Sequence, residues 1–293
     1  MASRTHHGWD YGHARMAGKL IQLVVLFIFI IQPQMLAIKN AHPRDQFITF
    51  DEGPHIYTVH GEQGYTSVTT WNHHHFPVFN GESIIQNIIK SPKMADPKYK
   101  YHGMTADDIR KSWDANRDSA SGAGTRTHYN IECFYNGIDM DDSSIEFEYF
   151  KRFAKDFENL KPYRTEWCVY YEEIKVSGSI DMVFRDENTG EFMIYDWKRS
   201  KGIEYDNNYG KSALTPCIRH LPDTNFWHYA LQLNVYRKIL QDKYDLKITK
   251  LALVVLHPDN HTKTYEVVDV PFLDKEMEDL WEVRKKDIKS KRD

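Results

Sequence analysis

Asp196 and Lys198, in the run MIYDWKRSK at residues 193–201, set opposite charges two positions apart in an otherwise apolar, strand-like stretch. Side chains alternate along an extended strand, so Ile194, Asp196 and Lys198 share one face while Met193, Tyr195 and Trp197 share the other. Such a pair is either a simple ion pair or half of a metal-dependent site. Upstream, SGSIDMV (177–183) carries Asp181 on a second strand, after Gly178, where backbone can approach closely. A turn across residues 186–190 joins the two strands, and antiparallel pairing sets Asp181 about 5 Å from Asp196. Two carboxylates that close repel unless a proton or a cation lies between them. A hard divalent cation such as Mg²⁺, which takes oxygen ligands, relieves that repulsion. Lys198 beside it would orient or help deprotonate a water, or stabilise charge on a phosphate under attack.

The order Gly178-x-x-Asp181, turn, Asp196-x-Lys198 resembles the PD-(D/E)XK nuclease superfamily, and more narrowly its RecB-like exonuclease branch. That branch adds a Gln-x-x-x-Tyr on a following helix, matched here by Gln232 and Tyr236, and a metal-binding His on an early helix, matched by His128 in GAGTRTHYNIE. The matched motifs span residues 122–236. A wider likeness, over residues 46–270, is to nuclease-like proteins of large DNA viruses. It runs through SVTTW, HGMT, KPYRTEW, GSIDMVF, YDWKRSK, CIRHLPDTNFWHY and VVLHP.

The resemblance implies a metal-dependent DNA nuclease, an exonuclease acting on single strands or duplex ends and leaving a 5′-phosphate, in repair, recombination or replication. His128, Asp181, Asp196 and the Trp197 carbonyl would hold Mg²⁺ or Mn²⁺. Lys198 would act on the water or the phosphate, and Gln232 and Tyr236 would hold a phosphate or the lysine. Glu166 is the best placed acid on the preceding strand, with Glu172 and Glu173 as alternatives. Arg199, Lys201 and Lys211 offer contacts to a DNA backbone, and Trp227 and Tyr229 offer stacking surfaces. His73, His74 and His75 are consecutive, so regular structure cannot aim all three at one ion. Two other functions stay open: an inactive nuclease-derived module that binds nucleic acid, and a membrane-anchored protein reusing the fold. A glycosidase-like pair of carboxylates would leave Lys198 and His128 without a role.

The elements that must position these groups follow from periodicity. Residues 47–71 alternate and predict a hairpin or small meander. Helices are expected over 80–92, over 105–137 as two pieces divided at Gly122 and Gly124, and over 143–160. Three strands follow in 165–200, then a helix over 221–240 capped by Asp223 or Thr224, a buried strand at 251–258, a strand at 264–270 and a closing helix. The fold class is α+β with an α/β-type core: a central mixed sheet flanked by helices, PD-(D/E)XK nuclease-like.

The 293 residues suffice for a sizeable core, and 27% charged against 41% hydrophobic is an ordinary globular balance. A net charge of −4 gives no global basic field, so an anionic partner must be held by local cations or by metal. Cys133, Cys168 and Cys217 are too scattered for a zinc or iron–sulfur pattern and predict free thiols in a reducing compartment. The run LIQLVVLFIFII (20–31), preceded by Arg4, Arg15 and Lys19, falls short of the roughly 20 residues that cross a bilayer. It reads as a signal-like segment or a marginal anchor with possible membrane contact. Residues 1–45 are therefore set apart as an extension, and 46–293 as the nuclease-like domain.

Overall fold

A computed structural model describes residues 35–290. The apolar run at 20–31 lies outside the described residues, and no described helix is long and apolar enough to cross a membrane. In chain order the elements are α1 (Met35–Lys39), β1 (Ile48–Asp51), β2 (Ile56–Val59), β3 (Thr66–Ser67), α2 (Val68–His73), α3 (Gly81–Lys90), α4 (Ala106–Tyr135) and α5 (Ile145–Asp156). Then come β4 (Lys161–Tyr171), β5 (Val176–Arg185), β6 (Phe192–Lys198), α6 (Asn225–Lys243), β7 (Ile248–Val255), β8 (Glu266–Asp269) and α7 (Asp274–Ser290).

The chain is α+β, built on a mixed six-stranded sheet. β5 pairs antiparallel with β4 along one edge; β6 pairs parallel with β7, and β7 antiparallel with β8. The other edge of β5 is divided. β6 accompanies it antiparallel only from Met182 to Arg185, while β3 runs parallel to it at Val176 and Ser177. Between these ladders β5 has no strand on that edge, and Gly178 and Asp181 lie in that gap.

Helices cover both faces. Ile194 enters a core with Leu231, Val235 and Ile239 of α6 and Trp281 of α7. Tyr195 and Trp197 enter the opposite core with Ile131 of α4 and Phe150 and Phe153 of α5. The alternation expected of residues 193–198 therefore holds. Trp197 meets Phe150 and Phe153 edge-on at centroid distances of 5.6 and 5.4 Å, contacts worth about 0.5–1.5 kcal/mol each beyond area burial. A small hairpin, β1–β2, packs on β4 through Val59 and Tyr170.

Three local expectations are corrected. Residues 105–137 form one helix, not two. The Thr105–Asp108 capping box starts it, and Gly122 and Gly124, worth about 1 kcal/mol each against helix, do not interrupt it. The meander read into 47–71 ends early, because Ser67 accepts a hydrogen bond from the Thr70 amide and starts α2 over VTTWNH. The folded unit also begins before residue 46. Asp45 bonds Arg164 at 2.7 Å and Trp167 at 2.8 Å, and Asn40 donates to the Tyr163 carbonyl.

Candidate functional site

The gap beside β5 leaves backbone groups of β6 without strand partners on that side, and a buried unpaired peptide group is costly. Two side chains satisfy them. Asp181 Oδ2 accepts from the Trp197 amide at 2.9 Å, and His128 Nε2 lies 3.0 Å from the Trp197 carbonyl. A carbonyl only accepts, so Nε2 carries a proton. The Trp197 carbonyl, expected as a metal ligand, is thus bonded to the imidazole.

His128 Nδ1 faces two carboxylates, at 3.6 Å from Asp181 Oδ2 and 3.7 Å from Glu166 Oε1. One ligand atom from each of His128, Glu166 and Asp181 lies within 4.8 Å of the others, so this trio could hold a metal ion. Its donors are two carboxylates and an imidazole, an oxygen-and-nitrogen set of the kind that takes divalent cations. Of the three acids weighed on the preceding strand, Glu166 is the one that arrives. Its φ of +42° places it in the left-handed region inside a strand, a strained conformation for a non-glycine residue. Ser179 donates to Glu166 Oε2 at 3.0 Å and fixes the second oxygen. Glu172 instead pairs with Arg44, and Glu173 with Lys243, away from the site.

Asp196 lies next to this trio but is engaged differently. Its Oδ2 stands 2.6 Å from Lys198 Nζ, and its Oδ1 accepts from Gln232 at 3.3 Å. The lysine contact is an ion pair whose angles fall short of a hydrogen bond, leaving Oδ2 without an aligned donor. Lys198 also rides over the Tyr229 ring, 4.6 Å from its centroid. Tyr236 is 4% exposed and reaches the same cleft, its ring passing directly over Gly178. The close approach expected at Gly178 is therefore made by a side chain.

Burial and the crowding of charge set the protonation states. Burial lowers the His128 pKa, but Asp181 and Glu166 outweigh it and raise it to about 9. Burial, and then Asp181, push Asp196 up to about 6 against the pull of Lys198. Burial also raises Asp181, opposed by His128. Lys198 is lowered by burial yet raised on balance by Asp196 and Asp181, which keep it a cation.

All eight residues expected from sequence are thus local to one place: seven side chains and the Trp197 backbone. Six of them, all but Asp196 and Trp197, line a cleft of about 460 Å³. Tyr57 of β2, Asn72 of α2 and His228 of α6 also line it. Sequence reasoning missed them: Tyr57 comes from a separate hairpin, and Asn72 carries no local motif. Asn225 and His228 were legible in principle, since Asn225, His228, Gln232 and Tyr236 recur at helical spacing on one face of α6.

Other expected contacts fall elsewhere. His73 faces the cleft, His74 is exposed, and His75 is buried with Nδ1 2.8 Å from Thr215 Oγ1, so the three histidines do not converge. Arg199 is held by Glu146 at 2.6 Å, Lys201 by Asp259 at 3.3 Å, and Lys211 is exposed. The Trp227 indole donates to the Tyr205 carbonyl. The chain matches no protein-family model and no curated protein, so geometry and chemistry carry the functional reading.

Proposed function

We propose that the chain is a metal-dependent nuclease of the PD-(D/E)XK type, hydrolysing phosphodiester bonds in DNA ends or single strands to leave a 5′-phosphate. What supports this most is the meeting of His128, Glu166 and Asp181, from three separate elements, beside the buried Asp196–Lys198 pair. A surface ion pair needs no such convergence.

His128, Glu166 and Asp181 would hold Mg²⁺ or Mn²⁺, with Asp196 next to them. When bound, the ion supplies a Lewis acid for the phosphoryl oxygens and lowers the pKa of a water. Asp181 keeps the end of β6 in place through the Trp197 amide. Lys198, cationic and braced by Asp196 and the Tyr229 ring, places positive charge where a phosphate oxygen gains negative charge. Gln232 donates to the Asp196 carboxylate and helps to orient it toward the lysine.

The test is cleavage of end-labelled single-stranded and duplex DNA with Mg²⁺, Mn²⁺ or EDTA. Activity is expected with either metal, none with EDTA, and a loss of at least about 10²-fold in kcat for Lys198→Ala. Cleavage unaffected by EDTA or by Lys198→Ala would overturn the assignment. A folded protein that binds DNA but never cuts it would instead be a nuclease-derived binding module.

A further inference from the structure

The cleft extends past the groups that this reading uses. Asn225 and His228 precede Gln232 by two turns and one turn of α6, and Thr69, Asn72 and His73 on α2 form the facing wall. Asn225 is already committed, donating to the Gly202 carbonyl and accepting from the Glu204 amide. Asn72 is not. It lines the cleft at 3% exposure, and neither its Oδ1 nor its Nδ2 has a hydrogen-bond partner. Leaving a buried donor or acceptor unpaired costs about 1–3 kcal/mol for each group, so an amide with both unpaired is a standing penalty that a ligand can remove.

Nearby, His228 is immobilised without being used up. Asp223 Oδ1 lies 2.8 Å from Nε2, Phe76 stacks on the ring at 3.9 Å, and no hydrogen bond among the described residues engages Nδ1. The exposed His73 ring stands 6.2 Å away. This half of the cleft is poor in cations. Lys198 is the one lysine or arginine among the lining residues, and it is tied to Asp196 in the other half. A phosphate subsite would need cations; a paired donor and acceptor on one amide match the edge of a heterocyclic base.

We infer that the half of the cleft walled by α2 is a nucleobase subsite, in which Asn72 hydrogen-bonds the base edge of the nucleotide next to the scissile phosphate, with His73 and His228 flanking it. This rests on the nuclease reading for its substrate class. It makes Asn72 a specificity residue rather than a catalytic one.

The experiment measures equilibrium binding by fluorescence anisotropy, with Ca²⁺ replacing Mg²⁺ and single-stranded oligonucleotides carrying one abasic residue stepped inward from either end. Wild type is expected to show one position where removing the base weakens binding at least tenfold. Asn72→Ala should bind the intact strand more weakly and show no such position. His73→Ala, at an exposed site where folding is not at risk, should reduce the same difference. The inference is overturned if wild type is indifferent to base removal at every position, or if both variants keep the full discrimination. Metal-dependent cleavage with no base-sensitive position would remove the subsite and leave the nuclease. Base-sensitive binding without cleavage would do the reverse, and absence of binding would remove both.

Discussion

A Cβ on residue 178 would stand 2.7 Å from the Tyr236 hydroxyl, 2.9 Å from its Cε1 and 3.1 Å from Val68 Cγ2. None of these neighbours is a free-swinging side-chain end, since Tyr236 and Val68 are both buried. Gly178→Ala is therefore expected to destabilise by about 1–3 kcal/mol, the usual cost of overpacking, and to displace Tyr236 from the cleft. Urea unfolding measures the first effect and the rate of cleavage the second; a variant with unchanged midpoint would show that the ring yields freely. The glycine was legible in the sequence as a place of close approach, whereas the partner was not, because Tyr236 lies on a helix far along the chain. Glu166 shows the same limit. Its type and strand could be read, but its left-handed backbone could not, since nothing in TEWC announces it.

Element boundaries were legible where a periodic pattern met a strong cap, and misread where two weak signals competed. β5, β6 and β7 stand close to where alternation and apolar runs put them, and the Asp181–Asp196 adjacency follows from extending the Met182–Tyr195 register by one pair. α4 is the counter-example: two glycines suggested a break that the helix does not make. At 30 residues it runs about 45 Å, carrying His128 near its buried end. A Cβ at Gly122 or Gly124 would meet nothing within 4 Å. Gly122→Ala and Gly124→Ala are each expected to stabilise by about 0.5–1 kcal/mol, read as a rise in thermal midpoint. A fall at either site would show that the glycine serves a bend or a contact that the straight helix lacks.

For the molecule as a whole, one contributor to the pH dependence of stability is a carboxyl outside the His128–Glu166–Asp181 trio. Glu132, one turn beyond His128 on α4, is 8% exposed, and burial, aided by Glu166, pushes its carboxyl up to about 8. The unfolded value is near 4.5. The folded chain therefore keeps a proton that the unfolded chain releases, and this contribution is complete below pH 4.5 and lost as pH rises through 8. Glu132→Gln, which cannot ionise, should match wild type near pH 4.5 and exceed it at pH 7 by about 1–3 kcal/mol. Denaturation midpoints across that range in metal-free buffer test this, and equal stability at pH 7 would show that Glu132 ionises in the folded protein at little cost. The global architecture, a mixed sheet between two helical layers, was readable because it depends on many residues at once. The start of the fold was not, because residues 35–45 carry no periodic signal and are held by single polar contacts such as Asp45 with Arg164.

Asp181 and His128 each do two jobs: they face the place where a cation would sit, and they complete the backbone of β6 at Trp197. Their substitutions are consequently pleiotropic, since erasing the chemistry also unfastens a corner of the sheet. Lys198 has only side-chain neighbours at its ammonium and fastens nothing in the backbone. A Lys198 allele leaves that backbone fastening intact and strands only the buried Asp196 carboxylate without its counter-ion, whereas an Asp181 or His128 allele loosens the end of β6 itself.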